Sequence, residues 1–395
     1  VIAARLAGPA RLLQAAAFVM FFDRFSIAPM LIPIAQDLRV PLSSVAAVAT
    51  VYFFLYGAMQ LVCGMLSDRV GRVRLMRAGC LGAAAAGLVS ATAPNLAVLL
   101  AGRAATAAFI CALFPSALTY IADRFPFEVR QRAVADLLTA VALGTASATF
   151  SAGLIAGYAT WRLAFLLPAL AALVLAWALG RLPESLPAPA RGSPLGQLRS
   201  AALRPWMAFL FVLALPEGAA ILGFLTYLTP ALEAHGAAPA VAGLTTGTYG
   251  LAVLAGIRLV RRLAAGVRPW VLIAGGGICL TLCFALAALA PAAPAILVAS
   301  LLAGLAYATM HSTFQTWATE VAPDLRATGT SLFATAAFAG AASATAAAAG
   351  LAGAGRYAEL FWIAAAVTVP TMAVGAAARR RFPDRGAPEP DAAPP

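Results

Sequence analysis

Lysine is missing from this chain of 395 residues, and all 27 basic side chains are arginine. Charge of either sign is scarce: 11% of residues are charged, where a soluble globular chain carries about 25%. So little polar surface argues against a soluble enzyme. Cysteine is sparse too. Cys63, Cys80, Cys111, Cys279 and Cys283 all fall inside apolar runs and lack metal-site spacing, so they read as small buried hydrophobes and no metal is expected. There is no phosphate-binding glycine loop, no dinucleotide fingerprint and no nucleophile elbow. ATP-driven transport, membrane enzymology and a bound cofactor therefore have no support.

What the chain has is apolar length, with 62% of residues hydrophobic. A membrane span needs about 20 mostly apolar residues. Breaks at charges, Pro and Gly give twelve: 12–36, 43–66, 75–93, 96–121, 133–158, 163–182, 206–231, 240–260, 269–290, 294–318, 328–350 and 359–378. The first carries Asp23 and Arg24 and lacks a cleavage-type ending, so it reads as a span and not as a signal peptide. Unpaired backbone groups are too costly in lipid for open strands, and the ten-residue alternation of a barrel is not seen. The expected fold class is an all-α polytopic membrane protein.

The net charge of +12 would suggest a nucleic-acid partner in a soluble chain. Here it sets topology. With the N-terminus inside, 22 of the 27 arginines fall in cytoplasmic segments; the reverse orientation would put them outside. Both termini are thus expected in the cytoplasm, with no nucleic-acid partner. The arginine-only, alanine-rich composition points to a GC-rich bacterial genome and so to a bacterial cytoplasmic membrane. The longest break, 183–205, is rich in Pro, Gly, Ser and Arg and divides the spans six and six. The expected domains are a bundle over 1–182, a cytoplasmic loop over 183–205, a second bundle over 206–378 and a disordered cytoplasmic tail over 379–395.

The halves repeat. A shift of 196 residues pairs Glu128 with Asp324, Arg130 with Arg326, Gly144 with Gly340, Ser147 with Ser343, Thr149 with Thr345, Trp161 with Tyr357 and Phe165 with Phe361. One unbroken offset across loop and helix implies two parallel six-helix units, an arrangement that puts a substrate site at mid-membrane between halves that rock.

The loop after span 2 reads Gly64-Met65-Leu66-Ser67-Asp68-Arg69-Val70-Gly71-Arg72. It resembles the signature G-x-L-x-D-R-x-G-R of the major facilitator superfamily at every fixed position, and WRLAF at 161–165 is similar to that superfamily as well. The resemblance implies the twelve-helix fold with two pseudo-symmetric bundles. It also implies that Gly64, Asp68, Arg69, Gly71 and Arg72, with Asp123 at the cytoplasmic end of span 4, form a latch that ties the halves together in the outward-facing state. The second-half counterpart, Gly256 to Arg262, has Val260 where the acid would stand, so the latch is asymmetric.

Ionisable residues inside spans are rare and mark function by default. Asp23, Arg24, Arg103, Glu217 and His311 are the deep ones; Asp123 and Asp136 lie nearer the cytoplasmic ends. Asp23 and Glu217 are each about eleven residues into their spans, near mid-depth. A carboxylate in so dry a place can exchange protons near neutral pH, and an arginine that approaches and withdraws changes its hold on the proton. By resemblance, proton-coupled exporters use an acid in helix 1 and an arginine in helix 4, the places of Asp23 and Arg103. The alternative is a permanent structural ion pair. Asp23 and Arg24 are not a mutual pair, because adjacent residues on a helix do not face each other. His311 could titrate usefully or be a hydrogen-bonded core histidine.

Polar stripes outline a cavity. Tyr52, Tyr56 and Gln60 recur on one face of span 2, Tyr307, His311 and Gln315 on one face of span 10, and span 8 offers Thr245 and Tyr249. With Arg24 these are the expected substrate contacts; for the tyrosines the alternative is an interfacial belt. Two departures from drug/proton antiporters stand out: span 5 has no Gly-Pro pair, and Ala107 replaces a glycine near Arg103. The expected function is proton-coupled efflux of a small organic solute, by a monomer whose partners are that solute, protons and the bilayer. The alternatives are an importer or uniporter of a small metabolite, whose carboxylate Arg24 and Arg103 would hold, and a transporter-like sensor or lipid flippase.

Overall fold

Inside a bilayer every backbone N–H and C=O must find its partner within the chain, and helices satisfy that demand segment by segment. The computed structural model describes residues 2–185, 193–263 and 266–382, apart from the side chains of 2–5, 65, 68, 127, 194 and 263. Among the described residues, twelve helices are long and apolar enough to cross a membrane. Spans 1 to 6 are Leu6–Leu38, Leu42–Gly64, Arg72–Ala91, Leu96–Arg124, Glu128–Tyr158 and Arg162–Leu179; spans 7 to 12 are Pro205–Ala234, Pro239–Arg262, Pro269–Leu289, Ala293–Val321, Arg326–Gly353 and Tyr357–Arg381. The number agrees with the apolar runs, and the fold is all-α.

The helices overrun the apolar runs where charged residues complete the last turn. Span 4 continues to Arg124 and span 5 begins at Glu128, because long charged side chains can reach the headgroups while their stems stay with the helix. Span 12 likewise runs on to Arg381, so 379–381 belong to a helix and not to a tail; 383–395 lie outside the described residues. The break between the halves also holds structure. Ser193 caps a short helix, Pro194–Ala202, by accepting a hydrogen bond from the Gly196 N–H at 3.0 Å, while 186–192 lie outside the described residues.

Four spans depart from regular α-helix near mid-depth; span 4 has a turn at 111–112 between helices that end at Ile110 and begin at Leu113. Span 1 stops its α-helix at Phe25 and resumes at Leu31 after a 3₁₀ turn, Ala28–Met30, that contains Pro29. Span 7 widens into a π-helical turn at Ala219–Gly223, just after Pro216. Span 10 does the same at Tyr307–His311. Proline removes a backbone donor and crowds the preceding turn, and single π turns inside α-helices are frequent at functional sites.

Within the first half, span 1 packs on spans 5 and 6, span 2 on span 4, and span 3 on spans 4 and 6. In the second half, span 7 packs on span 11, span 8 on span 10, and span 9 on spans 10 and 12. The 196-residue repeat is therefore a repeat of packing. A Cβ on Gly144 would lie 2.6 Å from the Phe18 carbonyl oxygen of span 1, and a Cβ on Gly340 would strike the Leu215 carbonyl of span 7. The halves meet along spans 5 and 8 and along spans 2 and 11. Gly153 and Gly243 face each other there, so closely that a Cβ on Gly153 would sit 2.7 Å from the Gly243 Cα. At the end of the bundle away from the termini, the end of span 1 also meets the Leu228–Ala234 segment of span 7.

Gly340→Ala should therefore destabilise the protein by about 1–3 kcal/mol, because the new methyl meets backbone that moves only if a whole helix moves. Gly350→Ala, on the same helix with nothing within 4 Å, should be neutral or stabilising by up to about 1 kcal/mol. Thermal unfolding of the two variants in detergent checks the contrast.

Candidate functional site

The deep charges come together as two acid–base pairs, one in each half. In the first, the Arg103 guanidinium grips Asp23 with both of its ends. Nη1 donates to Oδ1 at 2.7 Å and Nη2 to Oδ2 at 3.0 Å, while Nη2 also reaches the Asp23 carbonyl at 3.3 Å. The Tyr52 hydroxyl donates to Oδ2 at 3.0 Å. That backbone carbonyl is free because the α-helix of span 1 ends two residues later, and Ser26 Oγ donates to it at 2.9 Å as well. The guanidinium is also flanked by the rings of Tyr52 and Phe165, 4.7 and 4.6 Å away. Both charges are buried.

In the second half, Glu217 Oε1 lies 2.7 Å from His311 Nδ1. Glu217 is wholly buried, and its Oε2 has no hydrogen-bond partner among the described residues. The imidazole stacks on Tyr307 at 4.5 Å and leans on Phe333 at 5.7 Å. Both partners sit at irregular backbone: His311 closes the π turn of span 10, and Glu217 stands just before that of span 7. The two side chains meet from spans 7 and 10.

Arg24 is one residue from Asp23 but belongs to neither pair. Its guanidinium lies over the rings of Tyr56 at 4.1 Å, Phe21 at 4.5 Å and Phe338 at 5.0 Å, the last from the second half. No carboxylate lies within ion-pair distance of it, and its Nε has no hydrogen-bond partner, among the described residues. Each ring returns about 0.5–2 kcal/mol, whereas burying an ion costs several kcal/mol. The rings shield the charge without neutralising it.

Arg24 borders a cavity of about 60 Å³, room for a few waters. Thr149, Thr226, Thr229, Thr246, Tyr249 and Ser300 supply its other polar groups. The predicted stripes divide among these centres. Tyr52 serves Asp23, and Tyr56 covers Arg24 with its hydroxyl 3.7 Å from Met20 Sδ. Tyr249 and Tyr307 continue the ring stack from His311. Gln60, with an unpartnered Oε1, and Gln315 lie half-buried one turn beyond Tyr56 and His311. Thr245 bonds back to the Val241 carbonyl at 2.7 Å. Its neighbour Thr246 is the one at the cavity, 2.9 Å from Thr229 across spans 7 and 8. Sequence reasoning missed Thr149, Thr226, Thr229, Thr246, Ser300 and Phe338 as site residues; of these only Thr149 carried a signal, its repeat partner Thr345.

The loop motif holds a separate cluster at the end of the bundle where the termini lie. Gly71 has φ +103°, open to glycine at little cost, and a Cβ there would lie 2.6 Å from the Glu184 carboxyl carbon. Glu184 accepts from the Val73 and Arg74 N–H groups at 2.9 and 3.0 Å and so caps span 3. Arg72 reaches Asp123 at 3.4 Å and Ser67 at 2.8 Å, and Ser185 donates to Asp123 at 2.9 Å. These contacts join the turn to the ends of spans 4 and 6, all within the first half; the resemblance had implied a tie between halves. Gly64 sits inside its helix and not in a turn, its Cβ position 3.9 Å from Ser331 of span 11. Arg69 is exposed, and the side chain of Asp68 lies outside the described residues. No sequence signal pointed to Glu184. Asp136 is exposed. The second half closes its own end with Arg204 on Asp324 at 2.7 Å and Arg379 on Glu320 at 2.8 Å.

A family model described as Major Facilitator Superfamily matches residues 13–345 and, again, 221–394. The multidrug efflux pump LfrA of Mycolicibacterium smegmatis is 30% identical over 134 residues, 34% of this chain and 27% of that protein. The puromycin resistance protein pur8 of Streptomyces alboniger is 32% identical over 130 residues, 33% of this chain and 26% of that one. The matched stretch thus spans about a quarter of the length of these relatives. Among solved structures, the nucleoside transporter NupG superposes with a TM-score of 0.80 at 14% identity, covering 94% of this chain and 99% of that one. A D-xylose-proton symporter gives 0.73 at 16%, covering 95% and 97%. At such identities the likeness is one of fold.

Breaking the first pair should be costly. Asp23→Asn or Arg103→Gln leaves one charge buried without its partner and should lower stability by about 3–5 kcal/mol. The double variant Asp23→Leu/Arg103→Met removes both charges and should recover much of that loss, as thermal unfolding in detergent would show.

Proposed function

Because the chain belongs to the major facilitator superfamily, we propose that its buried acid–base pairs serve a transport cycle: it is a secondary active transporter that expels a small organic solute across a bacterial cytoplasmic membrane in exchange for protons. The observation that carries this reading is Glu217. Its carboxyl group is wholly buried, shares one oxygen with His311 and leaves the other without a partner. Gain or loss of one proton there changes the charge of a dry site by a full unit, which water cannot screen. The π turns beside both residues give that change a local backbone to act on.

The Asp23–Arg103 pair supports the same cycle. A proton on Asp23 weakens its attraction for Arg103, and re-pairing expels the proton. Movement between states would run along the contacts of spans 2, 5, 8 and 11, where few polar bonds cross between the halves. Thr50 and Thr345 lie 2.9 Å apart, and Thr335 Oγ1 donates to the Gly57 carbonyl at 2.9 Å. Efflux is supported by the relatives named as an efflux pump and a resistance protein. The arginine distribution supports cytoplasmic termini, and the solute, protons and lipid are the partners of a monomer.

A second reading has one observation in its favour. Arg24 is a buried cation with no carboxylate beside it among the described residues, which suits uptake or uniport of an anionic metabolite. An anion and a proton attract each other at one site, so uptake would run with the proton and not against it.

Proteoliposomes with an imposed pH gradient test both readings. Efflux by exchange predicts solute movement opposite to the proton flow, and at least a tenfold loss of gradient-driven transport in Asp23→Asn and Glu217→Gln. Movement with the protons supports the second reading. Full pH dependence in both variants removes these residues from coupling.

A further inference from the structure

Three residues that line one cavity each carry a buried polar atom without a protein partner among the described residues. These atoms are Nε of Arg24 on span 1, the hydroxyl of Tyr249 on span 8 and the hydroxyl of Ser300 on span 10. Buried polar groups in native proteins are rarely left unpaired. Three of them around one space, drawn from both halves, mark a place where a ligand completes the bonding.

Their chemistry restricts that ligand. A guanidinium only donates, and a phenol or an alcohol donates readily to a charged oxygen. No acidic residue is among the described residues that line the cavity. Thr229 and Thr246 already bond to each other, and Thr226 donates to the Leu222 carbonyl of its own helix, so these hydroxyls add little acceptor demand. Apart from Thr149, the rest of the wall is apolar, with Phe25, Phe53, Ile221, Leu225 and Leu228. The cage of Phe21, Tyr56 and Phe338 keeps Arg24 from bulk water, and a charge-assisted bond is stronger in such a dry place than in water.

We propose that this cavity is the head-group subsite for an amphipathic organic anion, a carboxylate or sulfonate on an apolar body. Arg24 holds the anionic oxygens, and Tyr249 and Ser300 complete their shell. Phe338 adds a consequence. It reaches the cage from the second half, so an anion on Arg24 is sensed by both halves at once. In this conformation the cavity is the size of a head group; the body lies along the apolar wall as the halves part. The proposal rests on the transporter reading and deepens it by naming the class of its cargo; binding of that cargo is measured apart from the direction of transport.

The test is equilibrium binding to the purified full chain, which needs no gradient and so fails or succeeds apart from the proton-coupling experiment. The probes are 4-phenylbutyrate, its neutral amide and 4-phenylbutylamine, which share one apolar body, measured by calorimetry and by thermal shift. The carboxylate should bind at least tenfold more tightly than the amide or the amine. Arg24→Gln should erase that preference, while Tyr249→Phe and Ser300→Ala should each weaken the carboxylate about threefold or more and leave the amide unchanged. The two milder variants keep the test decisive if Arg24→Gln does not fold. Equal binding of acid and amide, preference for the amine, no binding of any probe, or unchanged carboxylate affinity in both hydroxyl variants would each overturn the proposal.

Discussion

Helices in a bilayer gain nothing by hiding apolar surface from lipid that is equally apolar, so they hold together only where their backbones come close enough to pack. The remaining features of this bundle follow from that constraint. Gly144 and Gly340 bring spans 5 and 11 onto the carbonyls of spans 1 and 7, and Gly153 and Gly243 bring one half onto the other. The abundance of alanine and glycine is the sequence's answer to the same demand. A bundle built on such contacts is tight, yet two small-residue faces can slide or part without breaking many directional bonds. Packing thus supplies both the rigid halves and the seam between them.

Close packing also dries the centre, and dryness gives the charges their meaning. Arg103 and Tyr52 satisfy the Asp23 carboxylate, which is how an ion pair survives burial, although Arg103 Nε has no partner among the described residues. Glu217 and His311 satisfy each other by one bond only. Arg24 is shielded by rings and left without a counter-charge. These are three degrees of completion: a bidentate ion pair, a single shared bond, and a cation with rings but no carboxylate beside it among the described residues.

Much of this was legible in the linear chain. The spans, the halves and the deep charges could be read because lipid punishes polarity so heavily that every exception shows. The stripe Tyr52–Tyr56–Gln60 was expected to line the cavity; Tyr52 and Tyr56 are buried and Gln60 half-buried, and helical spacing could not say that the tyrosines serve different charges. Thr245 and Thr246 differ by one position, and which of them meets the cavity depends on how span 8 is rotated against span 7. Glu184 capping span 3, and the confinement of the described Arg72 and Asp123 contacts to one half, depend on where a loop returns after three helices; no local signal encodes that.

By itself the sequence determined the all-α class, the number of spans, the family and the handful of residues whose charge is out of place in lipid, since hydropathy and a nine-residue motif are properties of consecutive residues. Only the tertiary structure decided the pairing: Arg103 for Asp23, His311 for Glu217, and three aromatic rings for Arg24. Electrostatic partnership in a low dielectric turns on differences of a few ångströms between helices far apart in the chain, and such distances exist only once the bundle has packed.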